Sequence, residues 1–89
     1  MSEKRRKTAV VIHDEIIRLI EETAKLPVSD RKRNLYKDLG FDSLSFIYLL
    51  LKIEDMYSIT FDISEMESCL EVSQLIALTE KKVKENMKR

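Results

Sequence analysis

The chain has 89 residues, with 16 Lys plus Arg balanced by 16 Asp plus Glu, and a single His, Cys, Gly and Pro. That length suits one domain, which buries roughly 60% of the surface its unfolded chain exposes, enough for an apolar seam but not for a large enclosed catalytic cavity. One Gly and one Pro exclude the many tight turns of a sandwich or barrel, and one Cys excludes an internal disulfide framework and a cysteine-rich zinc site, as suits a reducing compartment.

At 44% hydrophobic and 36% charged residues the chain is too apolar for disorder. No apolar run approaches the ~20 residues of a membrane span. The basic start MSEKRRK is not followed by the apolar region of about 7–15 residues that a signal peptide needs, so a cytoplasmic location is expected. Charge is unevenly spread: net +3 over residues 1–33, −7 over 34–80 and +4 over 81–89. Lys4-Arg5-Arg6-Lys7 and Arg31-Lys32-Arg33 could contact phosphates. Neither run lies beside a base-reading helix or an aromatic platform, so a solvated tail and a solvated loop are expected. The acidic centre points instead to a protein partner with a basic docking surface.

Residues 8–25 have helical spacing, with Ile12, Ile16, Leu19, Ile20 and Thr23 on one stripe and Thr8 as N-cap. Pro27 marks the end, because the residue before a proline disfavours helical geometry. Residues 27–42 read as a long loop pinned by Leu26, Val28, Leu35 and Leu39; ordered loops of this length are uncommon and often functional. Residues 43–57 form a second helix on which Leu44, Ile47, Leu50, Leu51, Glu54 and Tyr57 recur, widened by Phe46, Leu49 and Ile53. A helix so apolar lies centrally in a bundle or keeps part of its face for a partner. Residues 58–63 alternate but have no strand to pair with, so they read as an extended connection. A short helix is expected over 64–69, capped by Ser64 with Glu67 as its capping-box partner. The last helix is expected over 72–86, with Val72, Leu75, Ile76, Leu78 and Thr79 facing in. The fold class is therefore all-α: a four-helix bundle of three longer helices and one short one. Residues 1–89 form a single domain, with a flexible basic tail at 1–7 and fraying over 85–89.

The informative stretch is Asp38-Leu39-Gly40-Phe41-Asp42-Ser43-Leu44. Gly40 permits a sharp turn. Asp42 and Ser43 then stand at the first turn of a helix, where free N–H groups and the dipole favour an anion. A phosphate ester on Ser43 would sit in that field, with Leu44 as an apolar flank. As a bare Asp-Ser pair, Ser43 could equally be a helix cap. As an enzymatic nucleophile it lacks a positioned base. The one His is His13, read as a partly exposed residue of the first helix, and no Gly-x-Ser-x-Gly elbow exists. Cys69 reads as a small core residue. Glu54 with Asp55, and Glu65, Glu67 and Glu71, read as solvated acids, and no metal site is expected.

These residues resemble the acyl and peptidyl carrier protein family. Its signature, Leu-Gly-x-Asp-Ser-Leu, is matched by Leu39-Gly40-Phe41-Asp42-Ser43-Leu44. The resemblance extends over residues 8–84. Ile12, Ile16, Ile20 and Pro27 look like the family's first helix and exit; Ile47, Leu50, Glu54 and Tyr57 its second helix; Ile59 and Phe61 the segment after it; Val72 and Ile76 the start of its last. The resemblance implies a covalent 4′-phosphopantetheine on Ser43, taken from coenzyme A by a Mg-dependent phosphopantetheinyl transferase. It assigns Asp42 to that enzyme's metal site, with Gly40 and Leu44 beside the attachment point. The chain would not be an enzyme. It would be a free-standing monomeric carrier, holding an acyl or aminoacyl group as a thioester for a loading enzyme and a downstream synthase or transferase. Ser45, Phe46, Tyr48, Leu51 and Glu54 are the expected docking residues.

Three features depart from the fatty-acid carriers. Ser45 and Tyr48 stand where acids are usual, Ser58 stands where a glycine is common, and the net charge is zero. They point to a specialised carrier with a more apolar docking helix, or to an aminoacyl or peptidyl carrier of a nonribosomal-peptide-type pathway. An unmodified helical module binding protein or nucleic acid is the alternative from another class. The acidic middle disfavours nucleic acid.

Overall fold

The computed structural model describes residues 9–87. The Thr8 cap and the 1–7 tail lie outside them. Four helices follow in order: α1 (Ala9–Ala24), α2 (Ser43–Tyr57), α3 (Ile63–Glu67) and α4 (Val72–Met87). The expected four-helix bundle is what forms, and α4 continues one residue past its expected end.

On α1 the spacing buries Ile12, Ile16, Leu19 and Ile20. Thr23 is half-buried and turns its hydroxyl back to the Leu19 carbonyl (2.9 Å). The helix stops where Lys25 adopts a left-handed φ of 61° and its N–H closes on the Glu21 carbonyl (2.8 Å). Glu21 also accepts the Val28 N–H (2.8 Å), fixing the chain just beyond Pro27.

Helix α2 lies against α1, and α4 packs on the same helix. The Tyr57 hydroxyl donates to Glu15 across 42 residues of sequence (2.5 Å), pinning the end of α2 to α1. Desolvation, then the hydrogen bond and charge of Glu15, push the Tyr57 phenol well above its ordinary value, so it remains a donor. Ser58 ends α2 in the left-handed region (φ 57°), the conformation that explains why a glycine suits this position. The Asn86 side-chain amide then donates to the Ser58 carbonyl (2.9 Å) and ties the far end of α4 to this corner. After it, Ile59 and Phe61 are buried while Ser58, Thr60 and Asp62 face solvent, so the expected alternation holds without a strand.

The long loop is fastened to the start of α4. Leu35 and Leu39 are buried and Val28 partly so, but Leu26 remains 46% exposed, since the chain turns outward at Pro27. Asn34 and Glu71 form an isolated antiparallel bridge. Leu35 N–H donates to the Leu70 carbonyl (2.8 Å), and the Val72 and Ser73 N–H groups donate to the Arg33 and Arg31 carbonyls (3.1 and 2.8 Å). The loop therefore caps α4, satisfying donors that the first turn of a helix leaves free.

Three expectations about local structure are corrected. The cap of α3 is Asp62, not Ser64, and its capping-box partner is Glu65, not Glu67. The helix accordingly runs over Ile63–Glu67 rather than 64–69. On α2 the buried stripe is Phe46, Leu49, Leu50, Ile53 and Tyr57, while Leu44, Ile47 and Leu51 face outward. The phase is set by where the rest of the core lies, α1 first, which hydropathy along one helix does not contain. On α4 Leu78 is only partly buried, and Val83 joins the core as an unforeseen member.

Candidate functional site

Gly40 takes φ +76°, where a side chain is strained, and it lets the chain swing from the buried Leu39 to the buried Phe41. Phe41 N–H then closes on the Leu35 carbonyl (3.0 Å). The next residue, Asp42, is the N-cap of α2. Its carboxylate accepts the Ser45 N–H (2.9 Å) and the Ser45 hydroxyl (2.9 Å), and the Asp42 N–H donates to the Ser45 hydroxyl oxygen (3.0 Å). These bonds, the Ser45 N–H first and its hydroxyl second, hold the Asp42 carboxyl below its ordinary value of 3.8, so it is ionised at neutral pH.

Ser43 is therefore not the cap. It is the first residue inside the helix, exposed, and its hydroxyl makes no hydrogen bond among the described residues. It stands at the rim of an open groove of about 400 Å³ walled by Tyr36, Phe46, Ile47, Met66, Glu67 and Leu70. That size lies within the range of small-ligand sites, about 300–1,000 Å³. A phosphate ester fits this position. The helix start favours an anion, the hydroxyl is unused, and the groove offers apolar walls to whatever extends from it.

The expected docking residues divide. Leu44 (80% exposed), Tyr48 and Leu51 (57%) do form an outward face, with the Lys52 ammonium over the Tyr48 ring at 5.5 Å. Phe46 does not belong to it. It is buried and packs against the Tyr36 ring (centroids 5.4 Å apart), because its position turns toward the core. Glu54 is half-buried, and its carboxylate accepts the Phe61 N–H (2.8 Å), so it anchors the connection after α2 instead of pairing with Asp55 in solvent. Ser45 is half-buried and its hydroxyl is spent on the cap. Glu65 and Glu71 likewise have structural duties. Glu65 closes the α3 capping box and pairs with Lys82 (2.9 Å), while Glu71 accepts the Ser73 hydroxyl (3.0 Å).

The sequence reading missed Ile47 as a site residue, although it lies one turn beyond Ser43 on the same side. Tyr36, Met66 and Leu70 reach the groove from other elements, and nothing in the local sequence signals that. Cys69 is fully buried as expected, and burial, then the Glu65 charge, push its thiol up to about 11. His13 is half-buried on α1, its Nε2 without a hydrogen-bond partner among the described residues. Among the described residues no cluster of His, Cys, Asp and Glu could hold a metal ion, and no helix is long and apolar enough to cross a membrane.

Fold and site together define a small helical domain built to present one serine at a helix start beside an apolar groove. The family described as "Phosphopantetheine attachment site" matches residues 14–79, and the chain belongs to that family. The prosthetic group of the family is 4′-phosphopantetheine, so the chain is a carrier domain. Its fold is similar to that of the acyl carrier protein of Thermotoga maritima, known from a crystal structure. The TM-score is 0.70 at 23% identity, over 86% of this chain and 92% of that one. No curated protein matches the chain.

Proposed function

We propose that the chain carries an acyl or aminoacyl intermediate on a 4′-phosphopantetheine arm attached to Ser43 and delivers it to partner enzymes. The observation that carries this reading is the position of Ser43: exposed, unbonded through its hydroxyl, behind the Asp42 cap and on the rim of the groove. When bound, the arm supplies a terminal thiol that holds the cargo as a thioester. Asp42 keeps the first turn of α2 formed and offers an ionised carboxylate next to the hydroxyl that is modified. Phe46, Ile47, Met66 and Leu70 give the arm or its cargo an apolar wall that excludes water. In this proposal a separate transferase places the arm on Ser43, whose hydroxyl is hydrogen-bonded to no base among the described residues, and the chain is its substrate and a shuttle.

Leu44, Ile47, Tyr48 and Leu51 form the face by which loading and downstream enzymes dock. That face is apolar where fatty-acid carriers are acidic, which supports a specialised acyl or aminoacyl pathway over bulk fatty-acid synthesis.

The test is intact mass after incubation with coenzyme A, Mg²⁺ and a broad-specificity phosphopantetheinyl transferase. One phosphopantetheine increment is expected on the wild type and none on Ser43→Ala. An increment retained by Ser43→Ala, or absent from a folded wild type with the cognate transferase as well, would overturn the assignment.

A further inference from the structure

The Arg31-Lys32-Arg33 run reads in the sequence as part of a solvated loop. The structure shows a braced turn. The Lys32 N–H donates to Asp30 Oδ1 (2.9 Å) and the Arg33 N–H to the Asp30 carbonyl (3.1 Å). The carbonyls of Arg31 and Arg33 are held by Ser73 and Val72 at the start of α4. The backbone is thus fixed on both sides while all three side chains point into solvent.

Residues 30–38 carry four basic and two acidic side chains, net +2, and the cations are not paired off. Elsewhere Lys82 has Glu65 and Lys52 lies over Tyr48. Arg31, Lys32, Arg33 and the nearby exposed Lys37 have no ion pair among the described residues. Asp30 and Asp38 each accept a backbone N–H, from Lys32 and from Asn34 (2.7 Å), and make no ion pair with these four side chains among the described residues. Four cations are therefore displayed on a rigid frame. Placing cations beside a helix N-terminus costs stability, which sets this turn apart from a charge placed there for the fold.

The position matters too. Leu35, two residues on, is bonded to Leu70, a wall of the groove beside Ser43, and Tyr36 lines the same groove. A partner seated over the groove would meet the turn at its edge. The first N–H groups of α4 are already taken by the loop carbonyls, so they offer no amide cradle for a phosphate beside these cations.

We propose that the Arg31-Lys32-Arg33 turn is a second docking contact, one that pairs with an acidic protein surface of the enzyme engaging the arm. The identity of that partner rests on the carrier reading, but the charge complementarity does not. The acid-poor face of α2 supplies apolar contact, and the turn supplies steering and register, the usual contribution of charges at an interface rim.

The experiment titrates the unmodified full chain, labelled with ¹⁵N, with an oligoglutamate peptide and separately with a random-sequence DNA duplex at low salt. Amide shifts are expected at residues 30–37 and 71–74 with the peptide. The exposed triple variant Arg31→Gln, Lys32→Gln, Arg33→Gln should fold with a thermal midpoint no lower than the wild type's and bind at least about fivefold more weakly, and added salt should remove the difference. Substituting Lys4, Arg5, Arg6 and Lys7 with Gln should leave binding unchanged. Equal binding by the triple variant, or shifts that follow the N-terminal run instead, would overturn the proposal. Tighter binding to the duplex than to the peptide would replace the acidic protein by nucleic acid. Because the chain is unmodified, none of these outcomes depends on whether Ser43 accepts the arm, which the mass experiment decides.

Discussion

One face of α2 buries Phe46, Leu49, Leu50, Ile53 and Tyr57, while the other leaves Leu44, Ile47, Tyr48 and Leu51 in solvent. The residue types are interchangeable between the two. Leu50 is 1% exposed and its neighbour Leu51 is 57% exposed. A bundle this small gains from every apolar side chain it buries, roughly 1.5–3 kcal/mol for a Leu or Ile. Leaving four large ones outside, on the face that begins beside Ser43, forgoes that gain. The comparison teaches that hydropathy marks what α2 must cover, and that only the neighbouring helices decide whether the cover comes from within or from a partner.

The comparison is broken most directly by truncating each face in turn. Ile53→Ala should lose about 2–5 kcal/mol in denaturant unfolding, a large share of a typical total of about 5–15 kcal/mol. Leu51→Ala should stay within about 0.5 kcal/mol of wild type while slowing transfer to or from partner enzymes. Equal destabilisation by the two would show that the outer face also serves the fold.

A smaller effect of opposite sign is expected inside the bundle. Thr79 on α4 is fully buried, and its hydroxyl has no hydrogen-bond partner among the described residues. Thr79→Val removes that orphaned group with little change of shape and should stabilise by about 1 kcal/mol, read as a raised thermal midpoint. A loss would mean that the hydroxyl is satisfied in solution.

The smallest effect lies at Asp42, where the two faces of α2 begin. Its carboxyl titrates below the ordinary value of 3.8 in the folded chain. Its contribution is complete above 3.8 and is lost as the pH falls through the lower folded value. Acidification should release the Ser45 amide, followed by its chemical shift. Asp42→Asn, which still caps but does not titrate, should abolish that step while leaving the core unaffected.

Much of this was legible in the sequence because it is local. The apolar spacing of α1 and α4, the stop before Pro27 and the turn at Gly40 depend on residues close together in the chain. The motif around Ser43 is local as well. The cap of α3 was legible but misread. Asp62 with Glu65 has the same three-residue spacing as Ser64 with Glu67, and a side chain that accepts from the N3 amide decides between them only once the backbone is placed. What the sequence could not show is long-range. Tyr36, Ile47 and Leu70 become one wall only after the loop has paired with residues near the start of α4. Phe46 and Glu54 looked like surface for the same reason, since their partners, Tyr36 and Phe61, sit on other segments.

The capping of α4 by the loop has a consequence for how the molecule opens. Most helices carry their own stop signals, but the first amides of α4 are held by carbonyls about forty residues upstream, at Arg31 and Arg33. Release of that loop would free the first amides of the last helix, so the two are expected to open together. The same event dismantles the Leu35–Leu70 tie beside the groove. The fold thereby couples the integrity of its last helix to the wall next to Ser43, and a partner that grips the loop would steady both at once.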